Sequence, residues 1–364
     1  MKVIFISREC YEFPGGRIRS YEFSEELKKR GIDTSFFFFI DNKKEYLERD
    51  ILLREKIILT FKSLPYFLRQ RNCIFVVNRF NYHSLCVWLV SLFKKIPYVF
   101  DMDDWEYREN VGKYFGIFPK SKSEYLSRIF AHNSRFCIAA SHYLKDYLSQ
   151  FNKKVYLIPT GIDTNLFKPK HNCDKKEVIF SWHGLINRKE IVDYLKFVIE
   201  CFIIVNREIK HTQLWIKGTG IFIKDFLEIL KNYRNENIKY FRWSHPLTIP
   251  SYLDKVDIGL FPLLEKTHFN LAKFPVKVVE YMAKKIPVIA SNMGEVKYII
   301  KHNYNGFLAN SKEEFVDYML KLTKDRFLRE KIGKNAYETV KEKYSLSLLG
   351  GKLYKIFKEN FEQL

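Results

Sequence analysis

Glycine and proline are scarce in this sequence, with 15 glycines and 11 prolines in 364 residues. A chain of this kind does not form a collagen-type helix, and flexible linkers do not dominate it. The hydrophobic fraction of 47% and the charged fraction of 29% also exclude a disordered chain, because enough apolar material is present to build a core. At roughly 100–200 residues per domain, the length predicts two domains.

Long hydrophobic runs are also missing. The most apolar stretches are Val3–Ile6, Phe36–Ile40 and Leu85–Phe93, which are far shorter than the ~20 residues needed to cross a bilayer. The first of them is shorter than the roughly 7–15 apolar residues of a secretory signal, so we expect a buried first strand instead. The sequence therefore predicts a cytoplasmic protein.

The cysteines form no recognisable pattern. None belongs to a Cys-x-x-Cys pair, and no histidine follows at a spacing typical of metal ligands. We therefore expect reduced structural thiols and no metal site. The six residues are Cys10, Cys73, Cys86, Cys137, Cys173 and Cys201.

Acidic residues are outnumbered by basic ones. The 62 lysines and arginines against 42 aspartates and glutamates give a formal charge of +20. Such an excess favours a polyanionic partner. Composition alone leaves three partners open, namely the phosphates of a small molecule, an anionic membrane face and nucleic acid.

Short apolar runs alternate with amphipathic segments along the whole chain, which predicts an α/β fold with parallel sheets and helices on both faces. Thr34–Ile40 is expected to be a strand buried on both faces, and Arg19–Arg30 a helix that ends at Gly31. The polar segment Lys168–Glu177 is the best candidate for a domain boundary, because the alternation restarts after it. The chain thus resembles two doubly wound units, and ligands of such sheets bind at strand carboxyl ends, here in the cleft between the units. Strands are predicted at Lys2–Ser7, Thr34–Ile40, Cys73–Val77, Tyr98–Phe100, Phe136–Ala139, Val155–Ile158, Val178–Trp182, Gln213–Lys217, Ile238–Phe241, Ile258–Phe261 and Pro287–Ala290.

Paired glycines lie between the first strand and the first helix. Gly15 and Gly16 would let the backbone approach a ligand closely. The N–H groups of the helix N-terminus, with Arg17 and Arg19, would then bind an anion. An ordinary strand–helix turn is the alternative. The stretch lacks the Gly-x-Gly-x-x-Gly pattern of dinucleotide-binding folds.

Three aspartates follow another predicted strand. Asp101, Asp103 and Asp104 are suited to orient an acceptor hydroxyl, to take its proton or to bind a divalent metal. The alternative is that they are solvated or helix-capping acids.

Two glycine turns follow strands in the second half. His183-Gly184 is followed by the cations Arg188 and Lys189, which near a helix N-terminus would neutralise a diphosphate. A solvated surface pair is the alternative. Gly218 belongs to the second turn and would also contact the ligand. The alternative is an ordinary strand–helix turn.

The segment 274–291 combines a helix start with charged residues. Lys277 and Glu280 are three residues apart and hence share a helical face. The preceding loop, with Thr267 and Asn270, would wrap a ligand while Glu280 accepts hydrogen bonds from a ribose diol. The alternative for Lys277 and Glu280 is a surface ion pair.

Several of these motifs together resemble glycosyltransferase family 4. Residues 158–169 read Ile-Pro-Thr-Gly-Ile-Asp-Thr-Asn-Leu-Phe-Lys-Pro and resemble the family's interdomain signature, Pro-Asn-Gly-Val-Asp-x-x-x-Phe-x-Pro. Residues 275–288 resemble its donor-binding helix, with Pro275-x-Lys277-x-x-Glu280-Tyr-Met-Ala283 followed by Pro287-Val. The resemblance runs from about residue 2 to residue 345. Three further stretches fit in chain order: Pro14-Gly15-Gly16-x-x-Arg19, Asp257-x-Gly259-x-x-Pro262 and Asn305-Gly306-Phe307.

The resemblance implies the GT-B fold, with two Rossmann-like domains facing a cleft. The implied division is an acceptor-side domain at 1–170, a nucleotide-sugar domain at 171–344 and a last helix at 345–364 that crosses back to the first domain. It also implies that Glu280 is the second Glu of the family's Glu-x7-Glu motif. The first Glu is Ala272 here, and Leu185 stands where the family usually has Arg after the glycine.

By resemblance, the chain is expected to be a retaining glycosyltransferase of glycan biosynthesis. Its co-substrate would be a UDP- or GDP-sugar, and its acceptor a glycan or lipid-linked glycan. Arg188 and Lys189 would neutralise the diphosphate without a metal, and Asp103 or Asp104 would serve the acceptor. The excess positive charge beyond the phosphate site would press the first domain onto an anionic membrane that carries a lipid-linked acceptor, so that the protein is peripheral on the membrane. Charge that serves only solubility is the alternative, and no nucleic acid is expected. Ala272 motivates the alternative of a catalytically impaired member that binds nucleotide sugars or acts as a scaffold.

Overall fold

The computed structural model describes residues 1–40, 49, 51–105, 107, 113–114, 118–119, 124–169, 176–243 and 245–361. Two six-stranded parallel sheets with helices dominate this part of the chain, one within residues 2–157 and the other within residues 178–309. The predicted α/β class is confirmed. Residues 170–175 of the predicted boundary segment, including Cys173, lie outside the described residues, so the domain limits stay a prediction.

The first sheet has the strand order β2-β1-β3-β4-β7-β8. The chain turns in opposite directions on either side of β1, which creates a crevice at the carboxyl ends of β1 and β3. The strands of the first half are β1 (Lys2–Ser7), β2 (Thr34–Phe38), β3 (Cys73–Asn78), β4 (Tyr98–Met102), the two-residue strands β5 (Lys113–Tyr114) and β6 (Phe118–Pro119), β7 (Cys137–Ala139) and β8 (Val155–Leu157). The helices are α1 (Phe23–Lys28), α2 (Leu53–Arg69), α3 (Tyr82–Lys94), α4 (Glu124–Asn133) and α5 (His142–Leu148).

The second sheet has the order β11-β10-β9-β12-β13-β14. Its direction of winding reverses at β9, so a second crevice opens at the carboxyl ends of β9 and β12. The strands are β9 (Val178–Leu185), β10 (Thr212–Thr219), β11 (Ile238–Arg242), β12 (Ile258–Phe261), β13 (Val288–Ser291) and β14 (Phe307–Ala309). The helices are α6 (Lys189–Glu208), α7 (Ile223–Lys231), α8 (Ile249–Leu253), α9 (His268–Ala272), α10 (Val276–Ala283), α11 (Val296–Ile299), α12 (Lys312–Lys324), α13 (Arg326–Lys343) and α14 (Leu346–Asn360).

Two expectations for the first half were wrong in detail. The strand from Thr34 lies at the edge of its sheet, and its side chains are half-buried rather than buried on both faces. The first helix begins at Gly15 rather than at Arg19, and residues Gly15–Glu22 form a π-helix before α1. The glycine pair is therefore part of the helix and does not form a loop ahead of it.

Helix α2 was not predicted at all. Its sequence contains the β-branched residues Ile57, Ile58 and Thr60 and a proline at position 65, all of which lower helix propensity. The short helices α9 and α11 and the strand β14 were also missed, because elements of three to five residues leave almost no periodic signal.

The last helix packs on the first half of the chain. Leu349, Leu353 and Phe357 of α14 belong to the apolar cluster that also holds Val3 and Phe5 of β1. The helix therefore covers one face of the first sheet although it comes last in sequence. The five described cysteines are free and buried, as expected for structural thiols. No helix within the described ranges is long and apolar enough to span a bilayer.

Candidate functional site

A cleft of about 920 Å³ lies between the two sheets. Its walls come mainly from segments that follow the carboxyl ends of strands in both halves, where ligands of doubly wound sheets bind. Of the residues predicted for the site, eight line it: Gly15, Arg17, Asp103, Asp104, Gly184, Arg188, Lys277 and Glu280. The lining comes from the first π-helix, α2, α3, α4 and the segments after β1, β3 and β4 in the first half, and from β9, β12, α6, α9, α10 and the segments after β10 and β11 in the second.

Lys277 projects from the first turn of α10 across the end of β9. Its ammonium nitrogen lies 3.8 Å from the centre of the Trp182 ring. Gly184 has φ of +144°, and a Cβ built there would lie 2.3 Å from Cε of Lys277. Burial, with the positive charge of Lys273, holds the pKa of Lys277 well below its usual range despite the carboxylate of Glu280. Glycine at position 184 thus makes room for a lysine that is poorly solvated in the cleft.

Glu280 lies one turn further along α10 and is buried against β9. Its Oε2 accepts a hydrogen bond of 2.8 Å from Nε2 of His183, and Nδ1 of His183 lies 2.9 Å from the Tyr281 hydroxyl. Burial lowers the pKa of His183 although Glu280 opposes the shift. His183 therefore orients the carboxylate and occupies one of its two oxygens. Sequence reasoning named His183 only as part of a turn.

Arg188 occupies the position just before α6 and lies at the cleft wall. Its guanidinium carbon lies 4.1 Å from the centre of the Phe269 ring, and Nη2 donates a 3.0 Å hydrogen bond to Glu190. Its Nε is buried and has no hydrogen-bond partner within the described part of the chain. Because α6 has 20 residues, its N-terminus adds favourable potential for an anion at the same place.

Lys273 is a cleft residue that the sequence analysis did not identify. It precedes Lys277 by four positions, and its Nζ lies 5.1 Å from the centre of the Phe269 ring. Burial lowers the pKa of Lys273, and Arg188 and Arg79 add to the effect while Asp104 opposes it. The lysine belongs to no motif, and it lies in the connection between α9 and α10, so its charge four positions before Lys277 was the only available signal.

The three aspartates after β4 differ in their surroundings. Asp101 forms a buried ion pair with Arg19, whose Nε donates at 3.0 Å and whose Nη2 also bonds Asp101. Asp103 accepts two hydrogen bonds from Arg79, at 2.5 and 2.9 Å. Although burial alone raises the pKa of Asp103, Arg79 lowers it below its usual value, which makes this carboxylate a weak base. Asp104 also lines the cleft, and its negative charge opposes the lowering of the pKa of Lys273.

Arg19 does not reach the cleft. It is 1% exposed, and its Nη1 donates a 2.6 Å hydrogen bond to the carbonyl of Ile158. Together with the Asp101 pair, this bond ties the first helical segment to the interior of the sheet. The expected contact of Arg19 with a donor does not fit this position, because its guanidinium is fully engaged within the first half.

Five further predicted residues lie outside the cleft lining: Gly16, Lys189, Gly218, Thr267 and Asn270. A Cβ on Gly16 would lie 2.3 Å from the Cys10 carbonyl oxygen, and one on Gly218 would lie 2.7 Å from that of Gly184. These glycines therefore allow close packing of the chain against itself. Lys189 is exposed on α6. Thr267 caps α9 by accepting a 3.2 Å bond from the Asn270 amide nitrogen, and the Asn270 side chain donates to Tyr194 at 2.6 Å.

Several polar atoms at the cleft wall are buried and have no hydrogen-bond partner among the described residues. Such atoms are costly unless a ligand or water satisfies them. They are Oε2 of Glu12, Nη1 of Arg17, Nε of Arg188 and Nε1 of Trp243, and all four residues line the cleft. Three of the four are donors, which suits a ligand rich in acceptor oxygens. Trp243 follows β11 directly and was not singled out from the sequence.

Ala272, which replaces the first Glu of the motif, is fully buried. Its side chain belongs to an apolar cluster of the first half, and its carbonyl oxygen accepts a 2.6 Å hydrogen bond from the Ser141 hydroxyl. A glutamate here would place a charge inside this cluster. Position 272 thus joins the two halves and is not part of the cleft lining.

Two doubly wound sheets that face a cleft with basic residues on one wall define a GT-B-like fold. Residues 163–339 match the sequence profile described as "Glycosyl transferases group 1", and residues 15–166 match "Glycosyltransferase Family 4". The chain belongs to glycosyltransferase family 4, and the expectation taken from its motifs is confirmed.

Relatives in sequence and solved structures agree with this assignment. The chain is 27% identical over 222 residues to a probable sucrose-phosphate synthase of Thermosipho melanesiensis, covering 55% of this chain and 46% of the relative. It is 26% identical over 196 residues to a UDP-Gal:alpha-D-GlcNAc-diphosphoundecaprenol alpha-1,3-galactosyltransferase of Escherichia coli, covering 48% of this chain and 46% of the relative. The chain thus spans less than half the length of these relatives. The fold matches Anabaena Alr3699/HepE, solved with UDP and glucose, with a TM-score of 0.73 at 14% identity over 99% of this chain and 100% of that one.

Proposed function

We propose that this protein transfers a sugar from a nucleotide-diphosphate sugar to a hydroxyl of a glycan or lipid-linked glycan, with retention of anomeric configuration. The observation that carries the proposal is the placement of Arg188, Lys273, Lys277 and Glu280 on one wall of the cleft. Burial lowers the pKa of Lys273 and of Lys277, so these two lysines would gain most from a diphosphate, because its charge replaces the lost hydration.

The diphosphate is proposed to lie between the ends of α6 and α10. Arg188 would contribute its unpartnered Nε, and Lys277 its ammonium above Gly184. We assign the second diphosphate-binding lysine to Lys273 and no longer to Lys189, because Lys189 is exposed outside the cleft whereas Lys273 lines it. These cations would stabilise the charge that develops on the leaving group, so we propose that transfer requires no metal.

The ribose is proposed to bind Glu280. His183 holds one carboxylate oxygen in place, so the other is oriented before the nucleotide arrives. Preorganisation of this kind lowers the cost of binding. Trp243 lies at the carboxyl end of β11 with an unpartnered ring N–H, and we assign it to the nucleotide base. UDP is the first candidate, because the fold relative from Anabaena was solved with it.

The acceptor is proposed to enter from the first half of the chain. During transfer, the bond between the anomeric carbon and the phosphate oxygen breaks, and its electron pair stays on the diphosphate. The acceptor oxygen forms the new bond on the same face of the sugar, and its proton passes to the carboxylate of Asp104. Asp103 would orient this site through Arg79 rather than act as the base, because its pKa is lowered.

Thermal melting with UDP, GDP and ADP tests the proposal, since a ligand that binds the folded state raises the melting temperature. We expect one of them to give a clear rise, and a screen of the matching nucleotide sugars to show slow hydrolysis or transfer. No shift with any of the three would contradict the proposed site.

A catalytically impaired member that binds nucleotide sugars is the second candidate. Ala272 favours it, because the residue replaces the first Glu of the motif and is used for packing between the halves. This candidate predicts a melting shift without turnover against a panel of sugars and acceptors. Turnover with any acceptor would exclude it.

A further inference from the structure

The exposed hydrophobic residues of this protein are concentrated on two adjacent helices. Of the twenty large hydrophobic side chains that are exposed among the described residues, ten lie between positions 52 and 93. Exposed apolar residues that are scattered singly need no explanation, but a contiguous group marks an interaction surface. The α2–α3 face is defined here by Leu53, Ile57, Ile58, Phe61 and Leu68 of α2 and by Leu85, Leu89, Leu92 and Phe93 of α3.

The exposed side chains follow a helical period. Leu53, Ile57, Phe61 and Leu68 recur every four or seven residues, so they form one stripe along α2. The 17 residues of α2 include only two that are buried, Ser63 and Phe67. Its apolar stripe therefore points away from the core, which is the reverse of an ordinary surface helix.

Helix α3 continues this surface. Leu85, Leu89 and Phe93 are separated by four residues each, and Phe93 is 84% exposed. The ends of the two helices are tied together, because Nζ of Lys94 donates hydrogen bonds of 2.6 and 2.5 Å to the carbonyls of Leu68 and Gln70. The stripes thus lie on neighbouring helices whose C-terminal ends meet.

The charges around this surface are almost all positive. Segments 51–71 and 82–95 contain seven lysines and arginines and one acidic residue, Glu55. Glu55 is already paired with Arg49, at 2.9 Å. A helix with apolar residues on one side and cations beside them binds the interface of an anionic bilayer, where both parts contribute.

The same helices open onto the cleft. Leu53 at the start of α2 and Leu85 in the first turn of α3 belong both to the α2–α3 face and to the cleft lining. A bilayer on this face would therefore meet the acceptor side of the cleft. A lipid-linked acceptor could keep its lipid in the bilayer while its sugar enters the cleft.

We propose that the α2–α3 face docks this protein on an anionic membrane surface and sets the acceptor side of the cleft against it. Binding to the bilayer does not require sugar transfer, whereas the entry of a lipid-linked acceptor rests on the function proposed above. The two can therefore fail separately.

Sedimentation of the full chain with vesicles tests the docking surface. The probes are vesicles of phosphatidylcholine with roughly a third phosphatidylglycerol and vesicles of phosphatidylcholine alone. We expect binding to the anionic vesicles, and at least about tenfold weaker binding for the double variant Phe61→Glu, Phe93→Glu. Phe327→Glu is the matched control, because Phe327 is 85% exposed but lies on α13 in the second half, and it should bind as the wild type does.

Equal binding of the double variant and the wild type would overturn the proposal, and so would the absence of binding by the wild type. Equal binding to neutral vesicles would overturn the choice of an anionic surface. A concentration-dependent dimer that the double variant abolishes, without vesicle binding, would show that a second copy covers the face instead. Melting curves with and without UDP complete the test. If the double variant remains folded, UDP is expected to raise its melting temperature by as much as it raises that of the wild type. Loss of that shift in the wild type would refute the proposed function and not the docking surface.

Discussion

Replacing Gly184 by alanine should disturb the diphosphate site through a single methyl group. The new Cβ would lie 2.3 Å from Cε and 2.5 Å from Nζ of Lys277, closer than any such contact in a folded protein. The end of a lysine side chain is flexible, so we expect Lys277 to move and its ammonium to leave the position above Trp182. The backbone would also be strained, because φ is +144° at this position.

The expected cost has two parts. Strain at a positive φ should lower the free energy of unfolding by about 1–3 kcal/mol. Displacing Lys277 should remove a hydrogen bond to a charged group, worth about 1.5–3 kcal/mol of binding, which corresponds to a rise of about ten- to hundredfold in the Kd for UDP. Isothermal titration calorimetry with UDP measures the second part, and urea unfolding measures the first.

Gly31→Ala separates the two parts. Gly31 also has a positive φ, of +87°, but nothing lies within 4 Å of a Cβ built there. This variant should lose a similar amount of stability and bind UDP as the wild type does. If Gly184→Ala binds UDP within about twofold of Gly31→Ala, a difference below 0.5 kcal/mol, then Lys277 does not contact the diphosphate.

Three more outcomes are expected. Arg188→Ala should lower kcat by about a hundredfold with a smaller change in KM, because its charge matters most when the diphosphate leaves; steady-state kinetics with an unchanged turnover number would remove Arg188 from the mechanism. The Kd for UDP should rise with pH, because Lys277 must take up a proton to bind the diphosphate. The rise should be up to about tenfold per pH unit, in the range above the lowered pKa of Lys277 in the free protein and below its higher pKa beside phosphate. Calorimetry should show a smaller slope in Lys277→Met, and a Kd of the wild type that does not change with pH would contradict the prediction. Asp101→Asn should cost about 3–5 kcal/mol in urea unfolding, since it leaves Arg19 buried without its counter-charge; a loss below about 1 kcal/mol would show that the pair is not the main restraint on this helix.

Much of the fold could be predicted because buried parallel strands are continuous apolar runs. The strand from Lys2 and the strand from Val178 both show this pattern, and both are central in their sheets. The strand from Thr34 has the same composition, yet it lies at an edge. Composition alone does not distinguish these positions, because neighbours in a sheet are set by the topology of distant segments.

The site could be predicted only in part. Lys277 and Glu280 share a helical turn, so local spacing was enough to bring them to one face. Arg19 was assigned to the ligand because it follows the glycine pair, but its partner Asp101 is 82 residues away and turns it inward. Contacts of such long range leave no trace in local spacing.

Lys273 and Trp243 could not be predicted from the sequence, for a different reason. Lys273 and Trp243 line the cleft without belonging to any motif. Trp243 directly follows β11, and Lys273 lies between α9 and α10. Their importance depends on burial and unsatisfied polar atoms, which only the three-dimensional arrangement of the chain reveals.

A crystal structure of the protein with the nucleoside diphosphate that most raises its melting temperature is the most direct test of the whole account. The pyrophosphate is expected within hydrogen-bonding distance of Lys277 and Arg188, and the ribose hydroxyls against Glu280. A nucleotide bound outside the cleft, or held only by residues of the first half, would contradict it.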